Sequence, residues 1–162
     1  MFKYHGLYSG PGCITDADGH YDFSWQPIDW ADAIAKRHDM DYAKATASGN
    51  DLGWMEDTRT VQADRDMVKR VDDLLGTLNN PFVENSVDGV ETPFRTTQSG
   101  EMRAALMGQK VVIGALAKYK QWKIDNGYTG KNDTFDKLRE EYGKHDPVNV
   151  LIMGLLAISK DN

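Results

Sequence analysis

A histidine and an aspartate stand side by side at His38-Asp39, with Tyr42 one helical turn beyond the histidine and a Tyr8-x-Gly10-x-Gly12 turn before them. Histidine changes charge near neutral pH, which suits it to accept and return a proton. A hard cation such as Ca2+ takes about six to eight oxygens, often backbone carbonyls completed by a carboxylate. Glycine reaches backbone angles that other residues avoid, so the turn can aim the carbonyls of Tyr8, Gly10 and Gly12 inward, with Asp39 closing the shell. A base, a carboxylate and a cation loop are together the parts of a calcium-assisted ester hydrolysis. Each part has a plainer reading: Gly-Pro-Gly turns are common, and an isolated His-Asp pair also describes a core histidine beside a solvated aspartate.

The elements that must position these groups are helices. Asp29 is placed to cap a helix over Trp30 to about Ala47, alanine-rich and free of breakers before Ser48-Gly49. On it His38 and Tyr42 share a face with Ala31, Ile34, Ala35 and Ala45, while Asp39 lies about 100° round. A second helix is expected from Glu56 or Thr58 to Leu75, ending at Gly76, with Val61, Val68, Val71 and Leu75 as its apolar stripe. Asp64 falls on that stripe, where an unpaired carboxylate is costly to bury. An inward histidine on the neighbouring helix is its natural partner, with an arginine or a local cap as the alternative. Asp66, Asp72 and Asp73 read as solvent-face charges.

Residues 79–100 are polar, rich in Gly, Pro, Ser and Thr, and long for a loop within one domain, so a short hairpin or a boundary is expected there. A third helix follows over Glu101 to Asn126, then a fourth over Thr134 to Tyr142 and a fifth over Pro147 to Ser159. Lys110, Lys118, Lys120 and Lys123 on the third helix read as a solvated face, with a membrane-contact face as the alternative. The sequence thus divides into a core at 1–78, a connecting loop at 79–100, and a helical segment at 101–162 that packs on the core or binds a partner. The expected fold class is mainly α.

The bulk numbers limit the function. A chain of 162 residues can build one real core, and 40% hydrophobic with 27% charged residues is ordinary for a globular protein. A net charge of -6 argues against a general nucleic-acid binder. The single cysteine, Cys13, makes no intramolecular disulfide and reads as a small packing residue. Met1 to Ser9 lacks the apolar run of a signal peptide, and the apolar stretch Val148 to Ile158 is too short to span a bilayer.

Taken together, Tyr8-x-Gly-Pro-Gly12, then Pro27, Asp32, Ala35, His38 and Asp39 at fixed spacing, then Ala63-Asp64, resemble the secreted-type phospholipase A2 superfamily. The nearest likeness is its disulfide-free branch, known from parvovirus capsid proteins. The resemblance covers roughly Tyr4 to Leu75; Asp29 replaces the usual Asn, and Met67 stands where an aromatic or aliphatic residue is common.

The resemblance implies a phospholipase A2-like core of a calcium loop and two antiparallel helices, acting on phospholipid membrane surfaces. In it His38 is the general base, Asp64 orients the imidazole, and Tyr42 hydrogen-bonds Asp64. Tyr8, Gly10, Gly12 and Asp39 hold Ca2+, and the Gly10 N–H assists the oxyanion. The setting implied is a virus, phage or bacterial effector. The alternative is a catalytically silent phospholipase-like module, and residues 101–162 are open to self-association. Trp25, Trp30 and Trp54 are expected near the site, inserting at a lipid interface or walling a channel.

His145-Asp146 repeats the pair without a Gly-rich loop and reads as a helix start. Asp16-Ala-Asp18-Gly19 fails as an EF-hand, because its sixth position is Tyr21 and its twelfth is Pro27.

Overall fold

A computed structural model describes residues 5–9, 17–18, 20–47, 54–93 and 99–128. The described residues are mainly α-helical, with no strand longer than the isolated antiparallel bridges His5–Ser9 and Val87–Val90. The first helix, α1, is Trp30–Thr46, and Asp29 caps it: its backbone is extended and its carboxylate accepts the Asp32 N–H. The inner face of α1 buries Trp30, Ala31, Ile34, Ala35, His38 and Tyr42.

A 3-10 turn at Thr58–Thr60, capped by Asp57, leads into α2, Val61–Thr77. Gly76 does not stop this helix; a Cβ there would meet nothing within 4 Å, and the helix runs to Thr77 with Leu78 as its C-cap. The stripe is also turned from the expected one. Asp64, Met67, Val71, Leu74 and Leu78 form the buried row, with Ala63 buried beside it, whereas Val61, Val68 and Leu75 are only half-buried at the flank. Steps of three, four, three and four keep the buried set on one helical face.

The third helix, α3, is Gly100–Asp125, with the Ser99 hydroxyl accepting the Met102 N–H. Its end is a Schellman motif: Gly127 takes a φ of 75°, its N–H bonds the Ile124 carbonyl, and the Tyr128 N–H bonds the Lys123 carbonyl. Helix α3 packs chiefly on α2, and α2 on α1. Met102, Ala105 and Leu106 join Trp30, Ile34, Met67, Val71 and Leu74 in one hydrophobic cluster.

The polar stretch after α2 contributes to this core rather than merely spanning it. Val87-Asp88-Gly89-Val90 makes a tight turn with Gly89 at φ 71°, and both valines are buried in the cluster. Arg37 of α1 donates to the Asp88 carbonyl at 3.1 Å, fastening the turn to the helix. No described helix is long and apolar enough to cross a membrane. The helices expected at 134–142 and 147–159, with Cys13, Asp16, Gly19, His145 and Asp146, lie outside the described residues.

Candidate active site

Helices α1 and α2 bring His38 and Asp64 together across 26 positions of sequence, with His38 Nε2 2.8 Å from Asp64 Oδ1. A carboxylate only accepts, so Nε2 carries the proton and Nδ1 is the basic nitrogen. Nδ1 lies 4.0 Å from Asp39 Oδ1, beyond hydrogen-bond range. Tyr42, one turn along from His38, donates its O–H to the same Asp64 oxygen at 2.7 Å. Burial, reinforced by the Asp64 charge, pushes the Tyr42 phenol far above its ordinary range, so it remains a donor.

The other oxygen of Asp64 belongs to α3. Lys120 Nζ lies 2.7 Å from Asp64 Oδ2, also 2.7 Å from Thr60 Oγ1, and donates to the Tyr42 hydroxyl. Three ammonium protons meet three acceptors, and both Lys120 and Asp64 are wholly buried. Burial holds this ammonium below the usual lysine range, while the Asp64 carboxylate works in the opposite direction. Three residues on, Lys123 forms a second buried pair with Glu56, whose other oxygen accepts from the Tyr119 hydroxyl at 3.2 Å.

These two lysines correct the sequence reading of a solvated or membrane-facing lysine face. Lys118 is exposed and Lys110 pairs with Asp72 at the surface, but Lys120 and Lys123 share the inner face of α3 with Leu116 and Tyr119. The spacing of three and four did place them on the face of buried apolar neighbours. Thr60 gave no sequence signal.

The N-terminal turn is fixed by another buried acid. Asp32 Oδ1 accepts the backbone N–H groups of Leu7 and Tyr8, both at 2.8 Å, and Oδ2 accepts that of Ile28 at 3.1 Å. Asp32 was legible as a spacing match, but not as the group that holds the loop to α1. His5 reinforces it through Asp29 at 2.6 Å. The Tyr8 side chain is buried, its hydroxyl donating to the Trp25 carbonyl at 2.7 Å. Gly10 and Gly12 lie outside the described residues.

Compared with family models, curated proteins and solved structures, the chain matches none of them.

Among the described residues no three His, Cys, Asp or Glu side chains converge on one point. The donor set read from the sequence is of another kind, one carboxylate with backbone carbonyls, and its all-oxygen character suits a hard cation. Asp39 keeps partial solvent access beside His38, on the edge of the site. Of the three tryptophans expected near the site, Trp25 and Trp54 are exposed, whereas Trp30 is a buried core residue.

Proposed function

We propose that this chain is a calcium-dependent phospholipase A2, hydrolysing the sn-2 ester of a glycerophospholipid to a fatty acid and a lysophospholipid. One observation carries the reading: His38 Nε2 is tied to the buried Asp64, leaving Nδ1 as the base beside Asp39. The α1–α2 pair, with the Tyr8 turn held on it by Asp32, is the phospholipase A2-like core of this proposal.

In the proposed reaction His38 Nδ1 takes a proton from water, and the resulting hydroxide oxygen attacks the ester carbonyl carbon. Asp64 faces the imidazolium so formed and holds the ring in one tautomer. Collapse of the tetrahedral species breaks the bond to the glycerol oxygen, which receives the proton from Nδ1. No side chain is acylated, so serine-directed inhibitors should leave activity intact. Tyr8, Gly10 and Gly12 carbonyls with Asp39 would hold Ca2+, which when bound supplies a positive charge to the ester carbonyl oxygen. A virus, phage or bacterial effector is the proposed setting, by the same resemblance.

The test is fatty-acid release from mixed phospholipid vesicles, with calcium and with chelator, for wild type and His38→Ala. Release that requires both calcium and His38 is the expected result. A folded wild-type protein that releases no fatty acid overturns the enzyme and favours the silent phospholipase-like module.

A further inference from the structure

We propose that Lys120 is a positioning residue for the His38–Asp64 pair, so that α3 is part of the hydrolytic machinery and not only its scaffold. The inference rests on the phospholipase reading for its kinetic consequence, but its geometric content stands on the contacts themselves.

A lysine ammonium wholly removed from water is an expensive way to fill space, since a methionine of similar length would carry no desolvation cost. What the charge does at this position is specific. Asp64 has two oxygens, and a carboxylate free to rotate could offer either one, or a point between them, to His38. Lys120 takes Oδ2 at 2.7 Å, and this leaves Oδ1 for His38 Nε2 at 2.8 Å and the Tyr42 hydroxyl at 2.7 Å.

The ammonium is itself immobilised. Its second proton goes to Thr60 Oγ1, and the Thr60 hydroxyl donates in turn to the Asp57 carbonyl at 2.7 Å. Its third goes to the Tyr42 hydroxyl, the other group on Asp64 Oδ1. Two of the three Lys120 donors therefore end on Asp64 or on the Tyr42 hydroxyl that shares Asp64 Oδ1, and the third holds the ammonium on Thr60. Lys123 supplies the internal contrast. It is equally buried on the same helix face, yet its carboxylate partner, Glu56, makes no hydrogen bond to His38, Tyr42 or Asp64 among the described residues.

A second consequence concerns the extent of the active unit. The resemblance to the phospholipase superfamily ends near Leu75, but the oxygen that orients its dyad is held by a residue 56 positions after Asp64. A fragment that stops before α3 lacks this anchor.

The experiment compares full-length wild type, Lys120→Met and Lys123→Met at one fixed pH. It reads kcat and KM for fatty-acid release, calcium affinity, and the NMR signal of the His38 Nε2–H. For Lys120→Met we expect kcat to fall about 10- to 100-fold, by analogy with the loss when the hydrogen-bond partner that orients a metal-bound histidine is removed. KM and calcium affinity should stay within about twofold, and the Nε2–H signal should move or vanish. Lys123→Met should keep the wild-type kcat and the wild-type signal.

An unchanged kcat and an unchanged signal in folded Lys120→Met overturn the proposal. If wild type releases no fatty acid, the phospholipase reading is what fails, and the Nε2–H signal alone decides whether Lys120 positions the pair. If Lys120→Met does not fold, the variant carrying both Lys120→Met and Asp64→Asn removes both charges and is compared with Asp64→Asn alone. Equal rates support action through Asp64, and a further loss of rate overturns it.

Discussion

His38 Nε2 and Asp64 Oδ1 meet at 2.8 Å across the α1–α2 interface, and Asp64 is wholly buried there while His38 keeps slight exposure. The histidine thus has one nitrogen fixed inside the protein and one turned to the side where Asp39 stands. A symmetric core contact has no need of that difference between the two ends of the ring, whereas a general base needs it.

Replacing Asp64 tests its two duties, toward His38 and toward Lys120. Asp64→Asn keeps the shape but loses the anion that selects the Nε2–H tautomer, and fatty-acid release should fall by about 10²- to 10⁴-fold, the worth of a positioned base. Both Asp64→Asn and Asp64→Ala should also lose about 3–5 kcal/mol of stability, because each leaves the Lys120 ammonium buried without its counter-charge. Urea denaturation checks the second effect. A variant as stable as wild type would mean that Lys120 finds another anion.

Much of this arrangement was legible in the sequence, for a physical reason. On α1 the alanines, Ile34, His38 and Tyr42 recur at helical spacing, so their shared face follows from the period alone. Asp64 was readable because a carboxylate among apolar positions demands a partner. The lysines of α3 were misread because charge usually reports solvent, and the anions that reverse that rule, Asp64 and Glu56, are remote in sequence. The true stripe of α2 was missed by one position, since Val61 and Val68 are apolar but sit at the flank of the interface. The Val87–Val90 turn could have been read from its Asp-Gly pair, which supplies the positive φ that a tight turn between two apolar residues requires.

Tyr42 should make stability depend on alkaline pH. Burial first, and then the Asp64 charge, pushes its phenol far above the ordinary value of 10.0. In the unfolded chain the group ionises near that ordinary value, whereas in the folded protein it keeps its proton. Above about pH 10 the unfolded state therefore binds fewer protons, and stability falls as pH rises. Tyr42→Phe lacks this contribution, so its stability should decline less steeply, by up to about 1.4 kcal/mol per pH unit. Denaturation curves at several alkaline pH values measure the difference. Parallel slopes would show that the phenol ionises within the fold.

The Glu56–Lys123 pair should behave as a structural pair. Either Glu56→Gln or Lys123→Met strands one buried charge, and about 3–5 kcal/mol of stability should be lost in the single variants. Changing both together should cost much less than the sum, because the second change removes the group that the first left unpaired. A double variant no better than the worse single one would show that Tyr119 and the Glu56 carbonyl, not the charge pair, hold this corner.

Gly6 tests how the N-terminal turn reaches α1. Its φ is 68°, and a Cβ built there would lie 2.4 Å from Asp32 Oδ1, the atom that accepts the Leu7 and Tyr8 N–H groups. Gly6→Ala therefore combines a left-handed backbone cost of about 1–2 kcal/mol with displacement of the buried carboxylate. Asp32 cannot yield toward solvent, because Oδ2 is held by the Ile28 N–H and the residue is fully buried. The turn itself must move, and the Tyr8 carbonyl with it. Under the calcium proposal the result is weaker calcium binding as well as lower stability, with the His38 Nε2–H signal unchanged because neither His38 nor Asp64, on α2, contacts Gly6 or Asp32. Calorimetric titration with calcium, run beside thermal denaturation, reads both. Lower stability with full calcium affinity would remove Tyr8 from the ligand set.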